Sequence, residues 1–248
     1  MTDLERFKDD SAYYSDKKYL SNSNIGRMME DVHTFKKYLD GEYDYPSNPN
    51  FVVGRFVHTA VLEPEKIEDF FIVLAKDRRS KVYKDAVQEY GYDWVVTEPE
   101  YQMGMKVKEN IEANDRLSEM FTFAENEVPF TANINEVPCK GKVDAVTKID
   151  GKKVIIDLKT TGKPVTDFPK SARAFNYDRQ AAMYLNLTGA DEFVFVVANK
   201  ETQSLGLYTC SDSFISNGEH KLMYALDMYK RLFISNEYTP DYLHLGEL

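Results

Sequence analysis

Apolar residues keep a helical spacing up to about residue 121 and an alternating one after it, so the chain predicts helices first and strands second. In "YLSNSNIGRMMEDVHTFKKYLDGEY" the apolar positions Ile25, Met28, Met29, Val32 and Phe35 recur at helical steps. That spacing predicts one helix, N-capped by Ser21 or Ser23 and stopped by Gly41. "NPNFVVGRFVHTAVLEPEKIEDFF" predicts a second helix that breaks near Pro64, and "EYQMGMKVKENIEANDRLSEMF" a third. Residues 76–100 hold no sustained period and read as irregular, with a basic stretch at "KDRRSK".

After residue 121 polar and apolar positions alternate. Three consecutive antiparallel strands are predicted at 124–132, 137–148 and 152–160, with Ile149-Asp150-Gly151-Lys152 as a hairpin turn. "FPKSARAFNYDRQAAMYLNLTGA" returns to helix and ends at Gly189. Two strands, "EFVFVVANK" and "LGLYTCS", and an amphipathic helix from about Asn217 to Ile234 complete the order. The expectation is an α/β (mixed α+β) fold, a central mixed sheet flanked by helices. We expect one domain over 1–248: a helical part at 1–120, a sheet and helix at 121–210, and a C-terminal helix and tail at 211–248.

One strand breaks its own pattern. In "KVIIDLKTT" Val154, Ile156 and Leu158 point one way, whereas Ile155, Asp157 and Lys159 point the other. The first face suits a core. The second sets a carboxylate beside an ammonium, and neither is buried cheaply without a partner. An exposed ion pair explains the two residues as well as a chemical role does, if they are taken alone.

Composition narrows the choice only slightly. The chain has 248 residues, 43% apolar and 29% charged, ordinary for a globular protein. No stretch approaches the roughly 20 apolar residues of a membrane span, and "MTDLERFKDD" lacks the apolar run of a secretory signal, so a cytoplasmic protein is expected. Two cysteines, Cys139 and Cys210, show no metal spacing and read as core thiols. The net charge of −10 argues against an evenly basic surface but leaves room for a local basic groove.

Asp144 changes the reading. It lies on "KGKVDAVTK", the strand that precedes the hairpin leading to Asp157. Neighbouring antiparallel strands can bring both carboxylates to one end of the sheet, where a divalent cation is the natural neutraliser. Lys159, on the face of Asp157, can reach whatever the metal holds. Carboxylates, metal and lysine together supply what phosphodiester hydrolysis needs.

Asp144, a gap of twelve residues, then Asp157-Leu158-Lys159 resembles the active site of the PD-(D/E)XK nuclease superfamily, with Val143 where its proline often stands. Gly141-Lys142-Val143-Asp144 and Ile155-Ile156-Asp157-Leu158-Lys159-Thr160-Thr161 resemble the RecB-like branch of that superfamily. So do "QAAMY", which carries Gln180 and Tyr184, and the histidine-bearing "GRFVHTAVLEPE", most similar to the exonuclease VIII (RecE) type. The resemblance runs from "YLSNSNIG" to about Tyr184.

It implies a restriction-endonuclease-like core. It also implies a metal-dependent exodeoxyribonuclease in which His58, Asp144, Asp157 and the backbone oxygen of Leu158 hold Mg²⁺, with Mn²⁺ tolerated, while Lys159 assists the attacking water. Gln180 would orient the site or touch DNA, with Tyr184 supporting it. Relatives of this kind act on duplex DNA ends, form homo-oligomeric rings, supply single strands to an annealing protein and are often phage-borne. Members with an iron–sulfur cluster need four cysteines, and this chain has two. A site-specific endonuclease and a non-catalytic DNA-end binder remain the alternatives. Arg78 and Arg79 of "KDRRSK", Lys170 and Arg173 are candidate phosphate contacts or solvated surface. His58 could equally be a core histidine, Gln180 and Tyr184 an ordinary helix face, and Glu127 either an added carboxylate or an exposed strand edge.

Overall fold

The computed structural model describes residues 2–46 and 51–240. Helices dominate the first part of the chain: α1 (Asp3–Arg6), α2 (Asp10–Ser15), α3 (Asn22–Glu30), α4 (Val32–Asp40) and α5 (Phe51–Leu62), the last followed by a 3₁₀ segment, Pro64–Asp69. A short strand β1 (Phe71–Val73), helix α6 (Lys81–Tyr90) and strand β2 (Val95–Thr97) come next, then α7 (Glu98–Glu112) and α8 (Asp115–Thr122). The main sheet contains β3 (Glu125–Ile134), β4 (Val137–Ile149), β5 (Lys152–Thr161), β6 (Glu192–Asn199) and β7 (Leu205–Thr209), side by side in that order. Between β5 and β6 run α9 (Phe168–Ala174) and α10 (Tyr177–Thr188), and α11 (Asp212–Tyr229) follows β7. β5 and β6 are parallel, as a helical crossover requires, and the other sheet pairs are antiparallel.

The three-strand meander forms where alternation predicts it. Asp150 (φ 50°) and Gly151 (φ 80°) both turn left-handed, the backbone of a two-residue hairpin whose twist matches its strands. Long predicted helices instead break in two where a short polar side chain satisfies a new helix start. Asp31 accepts from the amides of His33 and Thr34 and so starts α4, and Asn114 accepts from Leu117 and starts α8. Between α9 and α10 no side chain caps the new start, and the left-handed backbone of Asn176, at φ 54°, makes the break. Residues 76–100, expected to be irregular, contain α6 and β2, and β2 pairs in parallel with β1. Ser80 caps α6, whose buried Tyr83 and Ala86 sit one turn apart, a period too short-lived to stand out in sequence.

Both faces of the sheet are covered. Val154, Ile156 and Leu158 of β5 pack with Val57 of α5, Val107 and Ile111 of α7 and Leu117 of α8. Ile155, with Phe193, Phe195 and Val197 of β6, packs on the opposite side against Phe168 of α9 and Ala181 of α10. β5 is therefore an interior strand on both sides, not one with a single core face, and Asp157 is 1% exposed.

β5 pairs with β4 only from Ala145 to Ile149, and beyond that point the strands part. The far half of β4 is covered by the chain before α3, where the Leu20 amide donates to the Pro138 carbonyl at 2.8 Å. Lys140, 2% exposed, points its ammonium at the carbonyls of Tyr13 and Asp16 and ties α2 down beside β4. Alternation also slips here: Val143 and Ala145, two residues apart, join opposite cores. Facing the slip on β3, Glu127 takes φ 51° and is passed over by the ladder, which pairs Asn126 with Ala145 and Val128 with Val143. A non-glycine residue held at positive φ costs of order 1 kcal/mol and persists only where its surroundings fix it.

α11 clamps α10 to the sheet. Asp178, fully buried, pairs with Lys221 at 2.8 Å and accepts from Asn217. A Cβ on Gly218 would meet the Asp178 carbonyl oxygen at 2.0 Å. Gly218→Ala is therefore expected to lower stability by about 1–3 kcal/mol through overpacking, against about 1 kcal/mol of regained helix propensity. A urea melt in which the variant matches or exceeds the native midpoint would show that the two helices part easily.

Candidate active site

The place where β4 and β5 part is polar and partly buried. One step beyond the last ladder pair, Asp144 and Asp157 stand on adjacent strands. The ladder is replaced by a side-chain bridge: the Leu158 amide donates to Asp144 Oδ2 at 2.8 Å. The Leu158 side chain is anchored in the core between sheet and α5, so the bridge joins a rigid strand to the carboxylate.

Asp157 lies deepest. Burial pushes its carboxyl up to about 6, against the pull of Lys159. The Lys159 ammonium is 2.6 Å from Asp157 Oδ2, and the Gln180 side-chain amide of α10 donates to Oδ1 at 2.9 Å. Oδ2 is buried, faces the Lys159 ammonium and accepts no aligned hydrogen bond. Burial acts to lower the Lys159 ammonium, but Asp157 and Asp144 outweigh it and hold its pKa above the ordinary lysine value. The ammonium also lies 4.8 Å from the centre of the Tyr177 ring.

His58 reaches the same place from α5. A Cβ on Gly54, one turn earlier, would touch Thr160 Oγ1 at 3.4 Å, so the helix passes close to β5. His58 Nδ1 is 3.5 Å from Asp144 Oδ2. Burial, and then the nearby Lys159 charge, push the imidazole down to about 4, which leaves a neutral ring with a lone pair to offer. Glu127 arrives from β3, turned inward by its left-handed backbone, and is half-buried rather than an exposed edge residue. Its carboxyl is pushed up to about 8, by burial and then by Asp144.

Ligand atoms of His58, Glu127 and Asp144 lie within 4.8 Å of one another. An oxygen-rich set with one imidazole nitrogen suits a hard divalent cation of the Mg²⁺ or Mn²⁺ kind. Carboxylates whose pKa values burial raises, with Asp144 crowded against Glu127, fit such an ion.

The structure gathers His58, Asp144, Leu158, Lys159 and Tyr184 on the wall of one cavity of about 690 Å³, with Asp157 and Gln180 just behind. Tyr184 lies over Gly141, where a Cβ would come within 3.0 Å of its ring. The other predicted residues sit elsewhere. Arg173 lines a separate cavity beside Phe168 and Tyr208. Arg78 bonds Glu100 at 2.8 Å, Arg79 bonds Asp77 at 2.9 Å, and Lys170 lies 3.7 Å from Asp167; none of the three lines the cleft. Besides Lys159, the cations that do line it are Arg55, Lys66 and Lys142.

A protein from Eubacterium rectale described as a candidate exonuclease shares the fold, with a TM-score of 0.66 and 18% identity over 94% of this chain and 88% of its own. A phage-related exonuclease from Haemophilus somnus aligns with a TM-score of 0.37 at 14% identity, over 81% of this chain and 100% of its own. An alkaline exonuclease from Laribacter hongkongensis gives 0.32 at 10%, over 74% and 96%. No curated protein matches the sequence. Residues 21–244 match the PDDEXK-like domain of unknown function DUF3799, and the chain belongs to that family.

Proposed function

We propose that this chain is a metal-dependent exodeoxyribonuclease that hydrolyses phosphodiester bonds from the ends of double-stranded DNA and leaves single strands for recombination. One observation carries the reading: Asp144, Asp157 and Lys159 are locked into a single unit at the parting of β4 and β5, by the Leu158 bridge at 2.8 Å and the Asp157–Lys159 pair at 2.6 Å. The exonuclease-like fold supports hydrolysis of DNA. Residues 1–248 act as one nuclease domain in this proposal.

His58, Asp144, Asp157 and the Leu158 backbone oxygen would hold the metal, Mg²⁺ by preference with Mn²⁺ tolerated, and Glu127 stands close enough to share in it. When bound, the ion would polarise the phosphate and supply a more acidic water. Asp157 keeps Lys159 charged and fixed. Lys159 places a positive donor where negative charge develops on the attacked phosphate. Gln180 holds the Asp157 carboxylate in one orientation, and Tyr184 walls the cleft behind it. A homo-oligomeric ring, an annealing partner and a cytoplasmic location belong to the same proposal. Among the described residues no helix is long and apolar enough to cross a membrane.

The test is digestion of end-labelled linear duplex beside a covalently closed circle, with Mg²⁺ or with EDTA. The linear DNA is expected to disappear only with Mg²⁺ while the circle survives. Cutting of the circle would make the protein an endonuclease, and binding of DNA without loss of either substrate would make it an end binder.

A further inference from the structure

One face of α10 touches both members of the Asp157–Lys159 pair. Gln180 donates to Asp157 Oδ1 at 2.9 Å, and Tyr177, three residues earlier on the same face, sets its ring under the Lys159 ammonium, 4.8 Å from the ring centre. Tyr177 also lines the cavity that holds His58, Asp144 and Lys159.

The ring is placed by a strained residue and held by packing. Asn176, immediately before it, takes φ 54°, so that α9 ends and Tyr177 opens α10. The Asn176 side-chain oxygen accepts from Lys221 of α11 at 2.9 Å, and the same ammonium pairs with buried Asp178. A left-handed residue other than glycine persists only where its surroundings fix it, and here a second helix does so. The Tyr177 ring lies 5.9 Å from Phe168, 5.8 Å from Phe195 and 5.9 Å from Phe175, centre to centre. Phe168 and Phe195 are buried, so the ring rests on the core.

Lys159 needs a hold besides Asp157. Its ammonium lies 2.6 Å from Asp157 Oδ2, and Asp157 is among the residues that would hold a metal. A cation that draws on this carboxylate weakens its grip on the lysine, since both are positive. A ring face attracts an ammonium without neutralising it and without offering a ligand that a hard divalent cation prefers.

We propose that Tyr177 is a positioning residue, whose ring face keeps the Lys159 ammonium at the cleft wall when Asp157 is shared with a bound cation. This rests on the nuclease reading and adds to it the group that holds the lysine.

In digestion of linear duplex, Tyr177→Leu is expected to lower kcat about tenfold with KM little changed, and Tyr177→Phe, which keeps the ring, to restore most of that loss. A ring that only packed would lower the melting temperature and leave kcat alone well below the melt. Tyr177→Leu as fast as the native protein, or Tyr177→Phe as slow as Tyr177→Leu, overturns the proposal. Protein carrying ¹³C-labelled lysine gives a readout that needs no DNA. The ε-methylene resonance of Lys159, assigned by its absence from Lys159→Arg, is expected upfield of the exposed lysines through the ring current, in EDTA and in Mg²⁺ alike. A resonance among those of the exposed lysines in either condition overturns the proposal. The two readings fail separately. An upfield resonance without cleavage of any DNA in Mg²⁺ removes the nuclease and leaves the hold of the ring, whereas cleavage of linear duplex with the resonance at the exposed position does the reverse.

Discussion

Lys159→Ala is expected to cut the rate of linear-duplex digestion by roughly 10²–10³-fold, the loss typical when one preorganised donor is removed from a developing oxyanion. The ligand set would survive the change, because Asp144 keeps the bond from the Leu158 amide and Asp157 keeps the bond from Gln180. Lys159 and a divalent cation also compete for Asp157, since both are positive and the Lys159 ammonium already lies 2.6 Å from Oδ2. Metal should therefore stabilise Lys159→Ala at least as well as the native chain. Digestion rates and a thermal melt with and without Mg²⁺ check the two halves together. Native-like digestion by the variant would reduce the Asp157–Lys159 pair to a structural ion pair.

That pair was legible in sequence because it violates the pattern around it. A carboxylate and an ammonium inside "KVIIDLKTT" announce a partner or a reaction, and Asp144 one strand earlier completes the thought. The meander was legible for the same reason, since alternation and an Asp-Gly turn are local signals. Glu127 was not. Its inward aim depends on a left-handed residue and a slip in alternation shared with β4, and neither leaves a mark in composition. The cleft wall was equally silent: Tyr14, Phe51 and Trp94 line one cavity although they lie on α2, on α5 and just before β2. The basic run "KDRRSK" shows the converse. Its charge is plain in sequence, yet Arg78 and Arg79 each bond a carboxylate, at 2.8 and 2.9 Å. Local charge says little until the partners are known.

Asp144→Asn separates a structural bracket from a metal ligand. The asparagine oxygen can still accept from the Leu158 amide, so the bridge between the parting strands is kept. What the variant loses is a negative charge beside Glu127, whose carboxyl is pushed up to about 8 by burial and by Asp144 itself. A site built for a cation is strained without it, and relieving that crowding favours the folded state. In EDTA the variant is expected to melt at or above the native temperature. In Mg²⁺ the order reverses. An ion present at 100 times its dissociation constant adds about 2.7 kcal/mol to the native protein. For a chain of this size that is worth roughly 2–4 °C per kcal/mol. The variant should gain almost none of it and should digest no linear duplex. A variant that melts several degrees below the native chain in EDTA would instead make Asp144 chiefly the brace that keeps β4 and β5 in register.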